Sequence, residues 1–72
     1  MKAYKKRMIK EYKKLNKRCK KLKRILNMSE ACTLPFELNC PIYLLREQIR
    51  AMEDYRNVLL LRAEYEDIDL EY

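Results

Sequence analysis

The side chains that could do chemistry in this 72-residue sequence are almost all basic or aromatic. The chain has 17 lysines and arginines and six tyrosines, but no histidine and no glycine. The commonest general base is therefore missing, and a glycine-rich loop that cradles phosphate cannot form. The three cysteines include no Cys-x-x-Cys pair, which argues against a structural zinc site. The composition predicts a protein that is not an enzyme and that uses neither a metal nor a cofactor.

Basic residues are concentrated in the first third of the chain. Residues 2–24 contain 13 lysines and arginines but only one acidic residue, Glu11. Like charges at this spacing repel one another on a helix, so an anionic partner would be favourable there. Nucleic acid, a nucleotide or an acidic protein surface would fit, and a solvated face that only keeps the protein soluble is the alternative. The candidate anion-binding residues are Lys13, Lys14, Lys17, Arg18, Lys20, Lys21 and Arg24.

The end of the chain is acidic. Residues 64–71 contain five acidic side chains, which would lie beside the basic residues 2–10 in an antiparallel hairpin. Exposed ion pairs contribute only about 0–1 kcal/mol each, so they would orient the elements more than stabilise them. No helix-turn-helix, zinc-finger or RNA-recognition signature is present. Phosphate contacts alone would allow non-specific nucleic-acid binding, but sequence-specific binding is not supported.

A single apolar stripe predicts a first helix over about 2–27. Its members recur every three or four positions, which is the period of one helix face. Lysine, arginine, leucine and methionine favour helix, and no proline interrupts the segment. The stripe consists of Met1, Tyr4, Met8, Tyr12, Leu15, Cys19, Leu22 and Leu26.

Residues 28–40 are predicted to form a connector between two helices. Pro35 and Pro41 each bias the preceding residue away from helical backbone angles. Asn39 or Cys40 is therefore expected to cap the second helix, with Pro41 in its first turn.

A second long helix is predicted over about 41–68. Residues 58–61, Val-Leu-Leu-Leu, are apolar on every side, and such a segment must be covered all round. One partner helix cannot provide that cover, and chains of this size often add oligomerisation to a small core. Two neighbouring faces have heptad-like spacing. They are Leu45, Ile49, Met52, Leu59 and Ala63, and Gln48, Met52, Tyr55, Leu59 and Arg62.

These elements predict one all-α domain over residues 1–72. The expected architecture is an antiparallel two-helix hairpin that forms a homo-oligomeric helical bundle. No apolar run approaches the roughly 18 residues that span a bilayer, and no secretory signal follows the basic start, so we expect a cytoplasmic protein that does not enter a membrane. Cys19, Cys32 and Cys40 are then expected to be reduced packing residues, with a Cys32–Cys40 disulfide as the alternative.

The second helix resembles a family of small phage-encoded helical proteins first noted in crAss-like phages. In the connector, Phe36 and Leu38, which we expect to fold back over the helix ends, are also similar to that family. The matching positions are Leu44-Leu45-x-x-Gln48-Ile49-x-x-Met52-x-x-Tyr55-x-x-Val58-Leu59-x-x-Arg62.

That family is similar in build to the helical-hairpin sponges with which phages defeat nucleotide-signalling immunity such as CBASS and Thoeris. Those proteins hold cyclic oligonucleotides or cyclic ADP-ribose variants at subunit interfaces without catalysis. Arg62-Ala63 is similar to an arginine followed by a small residue late in their second helix. This chain departs from them in having no glycine, a more basic first helix and an acidic tail.

The resemblance implies a non-enzymatic phage anti-defence protein that sequesters an anionic cyclic nucleotide signal in an infected bacterium. Arginines would clamp the phosphates and a tyrosine would stack on a base. A protein-binding inhibitor of a host defence nuclease, of the anti-CRISPR type, is an alternative, as is non-specific nucleic-acid binding through the first helix. A purely structural coiled coil is the remaining interpretation. The candidate ligand-binding residues are Arg46, Arg50, Arg56, Arg62, Tyr43 and Tyr55.

Overall fold

The computed structural model describes residues 2–71 and consists of two packed helices. Helix α1 spans Ala3–Glu30 and helix α2 spans Ile42–Glu66, with a connector over 31–41. They run antiparallel, and the molecule measures 45 × 18 × 18 Å. The predicted all-α two-helix hairpin is thus confirmed, and the described residues include no strand. Neither helix within 2–71 is long and apolar enough to cross a bilayer.

Helix α1 continues three residues beyond the predicted end at Asn27. It stops where Cys32 takes the left-handed backbone conformation, with φ 57°. The Thr33 N–H then donates to the Met28 carbonyl at 2.8 Å, which satisfies one of the last carbonyls of the helix. Glycine usually occupies this position, and its absence from the sequence removed the signal that marks a helix end.

Helix α2 begins at Ile42 rather than at Pro41, which is its N-cap residue. The expected caps, Asn39 and Cys40, are therefore wrong. Pro41 has an extended backbone, with φ −59° and ψ 142°, and its carbonyl accepts from the Leu44 N–H at 3.1 Å. The helix ends at Glu66, because Asp67 is left-handed with φ 54°.

The core lies along one face of each helix. The predicted α1 stripe is buried from Met8 onwards and gains Ile9, whereas Tyr4 stays exposed and Met1 lies outside the described residues. On α2 the first predicted face provides the core, with Leu45 and Met52 half-buried against it. The buried residues are Met8, Ile9, Tyr12, Leu15, Cys19, Leu22, Leu26, Ile49, Leu59, Ala63 and Leu70.

The connector contributes less to the core than expected. Phe36 is 54% exposed, so it does not fold back over the helix ends, whereas Leu38 is half-buried. Cys19 is buried among apolar residues, and Cys40 is half-buried. Cys32 is exposed, because it forms the left-handed end of α1, and the packing role predicted for it is wrong. All three thiols are free in the structure.

Candidate functional site

A groove with mostly basic walls runs along one side of the hairpin. It has a volume of about 400 Å³ and is open to solvent. Six of its lining residues come from α1, and Tyr55 from α2 forms the other wall. We call this the basic groove, and its lining residues are Arg7, Lys10, Glu11, Lys14, Leu15, Arg18 and Tyr55.

Helical periodicity places the α1 residues of the basic groove together. Positions 7, 11, 14 and 18 are separated by four, three and four residues, so they share one face of the helix. Leu15 is buried beneath them and belongs to the core, which fixes the rotation of that face. Within residues 2–71, none of the four cations Arg7, Lys10, Lys14 and Arg18 makes an ion pair. The basic groove therefore presents four charges without internal neutralisation by ion pairs.

A hydrogen bond joins the two walls of the basic groove. The Tyr55 hydroxyl donates to the Glu11 carboxylate at 2.6 Å. This bond is the main reason why the pKa of Tyr55 is raised above 10.0; desolvation and the negative charge of Glu11 add to the shift, and the positive charge of Arg62 opposes it. The Tyr55 residue is 43% exposed, so the bond holds the ring at the groove without burying it.

The predicted arginine clamp is spread along α2 and paired with acids. Arg46 and Arg62 are sixteen residues apart, which corresponds to about 24 Å along the helix axis. One chain therefore does not bring the four arginines together around a small ligand. Arg56 also donates to the Asn16 side chain of α1 at 3.3 Å. The ion pairs are Arg46–Glu30 at 3.8 Å, Arg50–Glu47 at 3.6 Å, Arg56–Glu53 at 3.4 Å and Arg62–Glu66 at 3.1 Å.

The two predicted tyrosines have different surroundings. Tyr55 lines the basic groove and is fixed by Glu11. Tyr43 is in the first turn of α2, is largely exposed and does not line the basic groove. Arg62 is the predicted arginine whose charge acts on Tyr55. The structure thus places Tyr55 at the basic groove and Tyr43 elsewhere, and Arg62 does not line the groove.

The predicted basic residues of α1 do not all line the same groove. Lys14 and Arg18 line the basic groove. Lys13 and Lys17 line a second groove of about 390 Å³ that includes Glu71 and that Lys14 also borders. The remaining predicted cations are exposed and lie outside both grooves; they are Lys20, Lys21 and Arg24.

Arg7 and Lys10 line the basic groove. The sequence had predicted that they lie beside the acidic end of the chain instead. The spacing of Arg7, Glu11, Lys14 and Arg18 was the available signal, since it marks one helix face. Which face would meet an aromatic residue of α2 depends on the rotation of the two helices. This rotation cannot be predicted from the residues next to each position in the sequence.

The acidic tail lies against the beginning of α1, and its Glu71 shares the second groove with Lys10 and Lys14. The Lys5 ammonium donates to the Glu66 carbonyl at 3.5 Å, and Asp67 and Asp69 line a pocket with Lys2 and Lys5. The tail then turns back, with Leu70 buried against the core. The tail therefore meets the beginning of α1, as expected, without contributing an acidic side chain to the lining of the basic groove.

The basic groove has the chemistry of an anion site. Lysine and arginine side chains form charge-assisted hydrogen bonds with phosphate, and an exposed aromatic ring stacks on a base. Within residues 2–71, there is no cluster of three acidic or cysteine side chains that could hold a metal ion.

One family model matches the chain over residues 2–65, and its description is Sequestin. The match covers α1, the connector and almost all of α2, including every residue that lines the basic groove. No curated protein and no solved structure matches the chain significantly. Because the family match extends over most of the sequence, the chain belongs to the Sequestin family.

Proposed function

We propose that this protein binds and sequesters an anionic nucleotide signal in the basic groove, and so acts as a non-enzymatic phage anti-defence protein. The family name supports sequestration, that is, binding rather than catalysis. The observation that carries the proposal is the grouping of four cations without ion pairs beside an exposed tyrosine ring.

The size and chemistry of the basic groove suit a nucleotide. Its volume of about 400 Å³ is within the range of roughly 300–1,000 Å³ that is typical of small-molecule sites. Phosphates would lie along the cationic α1 wall, and a base would stack on Tyr55, where such stacking contributes about 1–3 kcal/mol per base. A cyclic oligonucleotide carries two or more phosphates at fixed separation, which suits cations repeated along one helix face.

Only some of the ligand-binding residues predicted from the sequence lie in the basic groove. Lys14, Arg18 and Tyr55 would contact the ligand within one chain, whereas Arg62 lies outside the groove and is paired with Glu66. Arg46, Arg50, Arg56 and Tyr43 are outside the basic groove, so they would contribute only where another copy of the chain brings them to it.

Calorimetric titration at low salt tests the proposal. The probes are cyclic dinucleotides, cyclic trinucleotides and cyclic ADP-ribose isomers, with adenosine monophosphate as the weakly binding control. The test variant is Lys14→Gln with Arg18→Gln, which removes two charges from the basic groove. The matched control is Lys20→Gln with Lys21→Gln, which removes two exposed charges of the same helix outside it.

We expect at least one cyclic probe to bind, the groove variant to weaken it more than tenfold, and the control variant to change it less than twofold. Equal losses in both variants would show that only net charge matters. Absence of binding by the whole panel would contradict nucleotide sequestration.

Non-specific nucleic-acid binding is a second candidate, because Lys20, Lys21 and Arg24 form an exposed basic surface beyond the basic groove. Phosphate contacts of this kind need no base readout. The salt dependence of duplex binding, described in the Discussion, separates this candidate from the first.

A further inference from the structure

Glu11 is an acidic residue in a groove whose other charged residues are cations. It lies on the same face of α1 as Arg7 and Lys14, four residues after the first and three before the second. A carboxylate at this position weakens the attraction of the basic groove for phosphate, because like charges repel. A direct contact between Glu11 and a ligand would therefore have to be with a hydrogen-bond donor.

The Glu11 carboxylate has room for further hydrogen bonds. Its Oε1 atom accepts the Tyr55 hydroxyl at 2.6 Å, and Glu11 makes no ion pair within residues 2–71. The residue is exposed, so a ligand can reach it. A carboxylate has about four acceptor positions on its two oxygens. One bond from Tyr55 therefore leaves capacity for two more donors.

The bond to Tyr55 places the carboxylate beside the ring on which a base would stack. The hydroxyl is at the outer end of that ring, so Glu11 lies next to this end. A base stacked on Tyr55 would present an edge to Glu11. Arg18 is seven residues further along α1, which corresponds to about 10 Å along the helix axis. The base and the phosphate of one nucleotide would thus have separate contacts on the same wall.

Guanine is the base whose edge complements a carboxylate. Its N1–H and its N2 amino group are adjacent donors, and together they can pair with the two oxygens in charge-assisted hydrogen bonds. Adenine and cytosine carry an acceptor nitrogen beside their amino group, and uracil carries a carbonyl on each side of its N–H. Each of these bases would bring an acceptor against the negative charge of Glu11, which disfavours it.

We propose that Glu11 makes the basic groove selective for guanine nucleotides, by accepting hydrogen bonds from the N1–H and N2 amino groups of a guanine stacked on Tyr55. This inference rests on the proposed nucleotide site and specifies the base that it takes. Glu11 is then a residue that contacts the ligand directly, in addition to holding Tyr55.

Calorimetric titration of the unmodified chain with three cyclic dinucleotides tests the selectivity. Cyclic di-GMP, cyclic di-inosine monophosphate and cyclic di-AMP have the same phosphates and sugars. Their bases offer Glu11 two adjacent donors, one donor, and an amino group beside an acceptor. Cyclic di-GMP should bind about tenfold or more tightly than cyclic di-AMP, because a hydrogen bond to a charged group contributes that much. The inosine compound should lie between them.

Glu11→Gln is the test variant, and the measured quantity is the ratio of the affinities for cyclic di-GMP and cyclic di-AMP. Loss of a negative charge strengthens phosphate binding for both probes alike, so it cancels in this ratio. A glutamine side chain pairs well with adenine, so the preference for guanine should disappear. Glu47→Gln removes an exposed acid outside the basic groove and should keep the ratio. Tyr55→Phe keeps the ring and Glu11 and should also keep it.

Equal affinity of the unmodified chain for the three probes, or a preference for adenine, would overturn the inference and leave the proposed function standing. An unchanged ratio in Glu11→Gln would also overturn it. A ratio lost equally in Tyr55→Phe would overturn it as well, because Glu11 would then act only by positioning the ring. If none of the three probes binds, the inference fails, and the wider panel of cyclic compounds decides the proposed function separately.

Discussion

At the scale of single residues, Glu11 and Tyr55 form the hydrogen bond that joins the two walls of the basic groove. Glu11 is the only acidic residue that lines the basic groove, and its carboxylate accepts the Tyr55 hydroxyl. The contact therefore orients the aromatic ring and offsets part of the positive charge around it. Both effects are local, and each can be measured with one substitution.

The Tyr55 pKa should depend on Glu11. Because the hydrogen bond to Glu11 is the largest cause of the upward shift, Glu11→Gln should lower the pKa of Tyr55 towards 10.0. The neutral phenol stabilises the folded state below pH 10, and this contribution is lost as the pH rises through the folded pKa. Nuclear magnetic resonance of ring-labelled tyrosine, assigned with Tyr55→Phe, measures the shift. Glu47→Gln is the control, and equal titration of Tyr55 in both variants would contradict the assigned cause.

Nucleotide binding should need the ring of Tyr55 rather than its hydroxyl. Tyr55→Ala is expected to cost about 1–3 kcal/mol of binding free energy, because a stacked base loses its partner. Tyr55→Phe keeps the ring and should retain most of this energy. Calorimetry with a cyclic dinucleotide that binds the unmodified chain gives the comparison. Tyr43→Ala is the control, and a larger loss there than in Tyr55→Ala would move the site to the start of α2.

At the scale of secondary structure elements, each helix divides its surface between core and solvent. Helix α1 buries one stripe and leaves its cations outside, and α2 buries a narrower set that includes Ile49, Leu59 and Ala63. Packing rather than charge therefore holds the pair together. The exposed ion pairs of α2 contribute little in comparison.

Leu59 should be the residue of α2 on which hairpin stability depends most. It is 1% exposed, so Leu59→Ala leaves a cavity and should lower the free energy of unfolding by about 2–5 kcal/mol. Thermal melting followed by circular dichroism measures the loss. Phe36→Ala removes a larger but exposed side chain and should stay within about 0.5 kcal/mol. A melting temperature that falls more for Phe36→Ala than for Leu59→Ala would contradict the core assignment.

Duplex DNA should bind α1 weakly and without sequence preference. Because only phosphate contacts are available, the logarithm of the binding constant should fall with the logarithm of salt by about 0.9 per neutralised phosphate. Fluorescence anisotropy over a salt series measures this slope for the unmodified chain and for the Lys20→Gln, Lys21→Gln variant, which should have a shallower slope. Tight binding that persists at physiological salt would instead favour nucleic acid as the functional partner.

At the scale of the whole molecule, any partner that binds only the folded form raises the free energy of unfolding of this small two-helix hairpin. Membership of the Sequestin family agrees with the predicted sequestering role. The relation to proteins of crAss-like phages and the specific immune signal stay predictions. The proposed ligand would cover surface on the side of the hairpin that carries the basic groove.

A bound ligand should stabilise the folded protein in proportion to its affinity. At a thousandfold excess over the dissociation constant, binding to the folded form alone adds about 4 kcal/mol to the free energy of unfolding. Differential scanning calorimetry with the cyclic panel should therefore give a rise of many degrees for the cognate compound and almost none for adenosine monophosphate. An unchanged melting temperature across the panel at low salt would contradict the sequestration proposal.

The sequence by itself determined the helices and the core stripe, because both follow from local periodicity. The repeat from Met8 to Leu26 predicts which face of α1 is buried, and charge counting predicts that the outer faces of α1 are basic. The helix ends were harder to predict from the sequence, because Cys32 and Asp67 adopt left-handed conformations at positions where glycine is the usual residue.

Only the tertiary structure decided which charged and aromatic residues share a site. The placement of Tyr55 beside Arg7, Glu11 and Arg18, which are 48, 44 and 37 residues away in the chain, depends on how the two helices are rotated and aligned against each other. The same alignment gave Arg46 and Arg56 partners on α1, namely Glu30 and Asn16. Periodicity describes each helix separately, whereas the angle and register between two helices are set by how the buried side chains interlock, and those contacts join residues far apart in sequence.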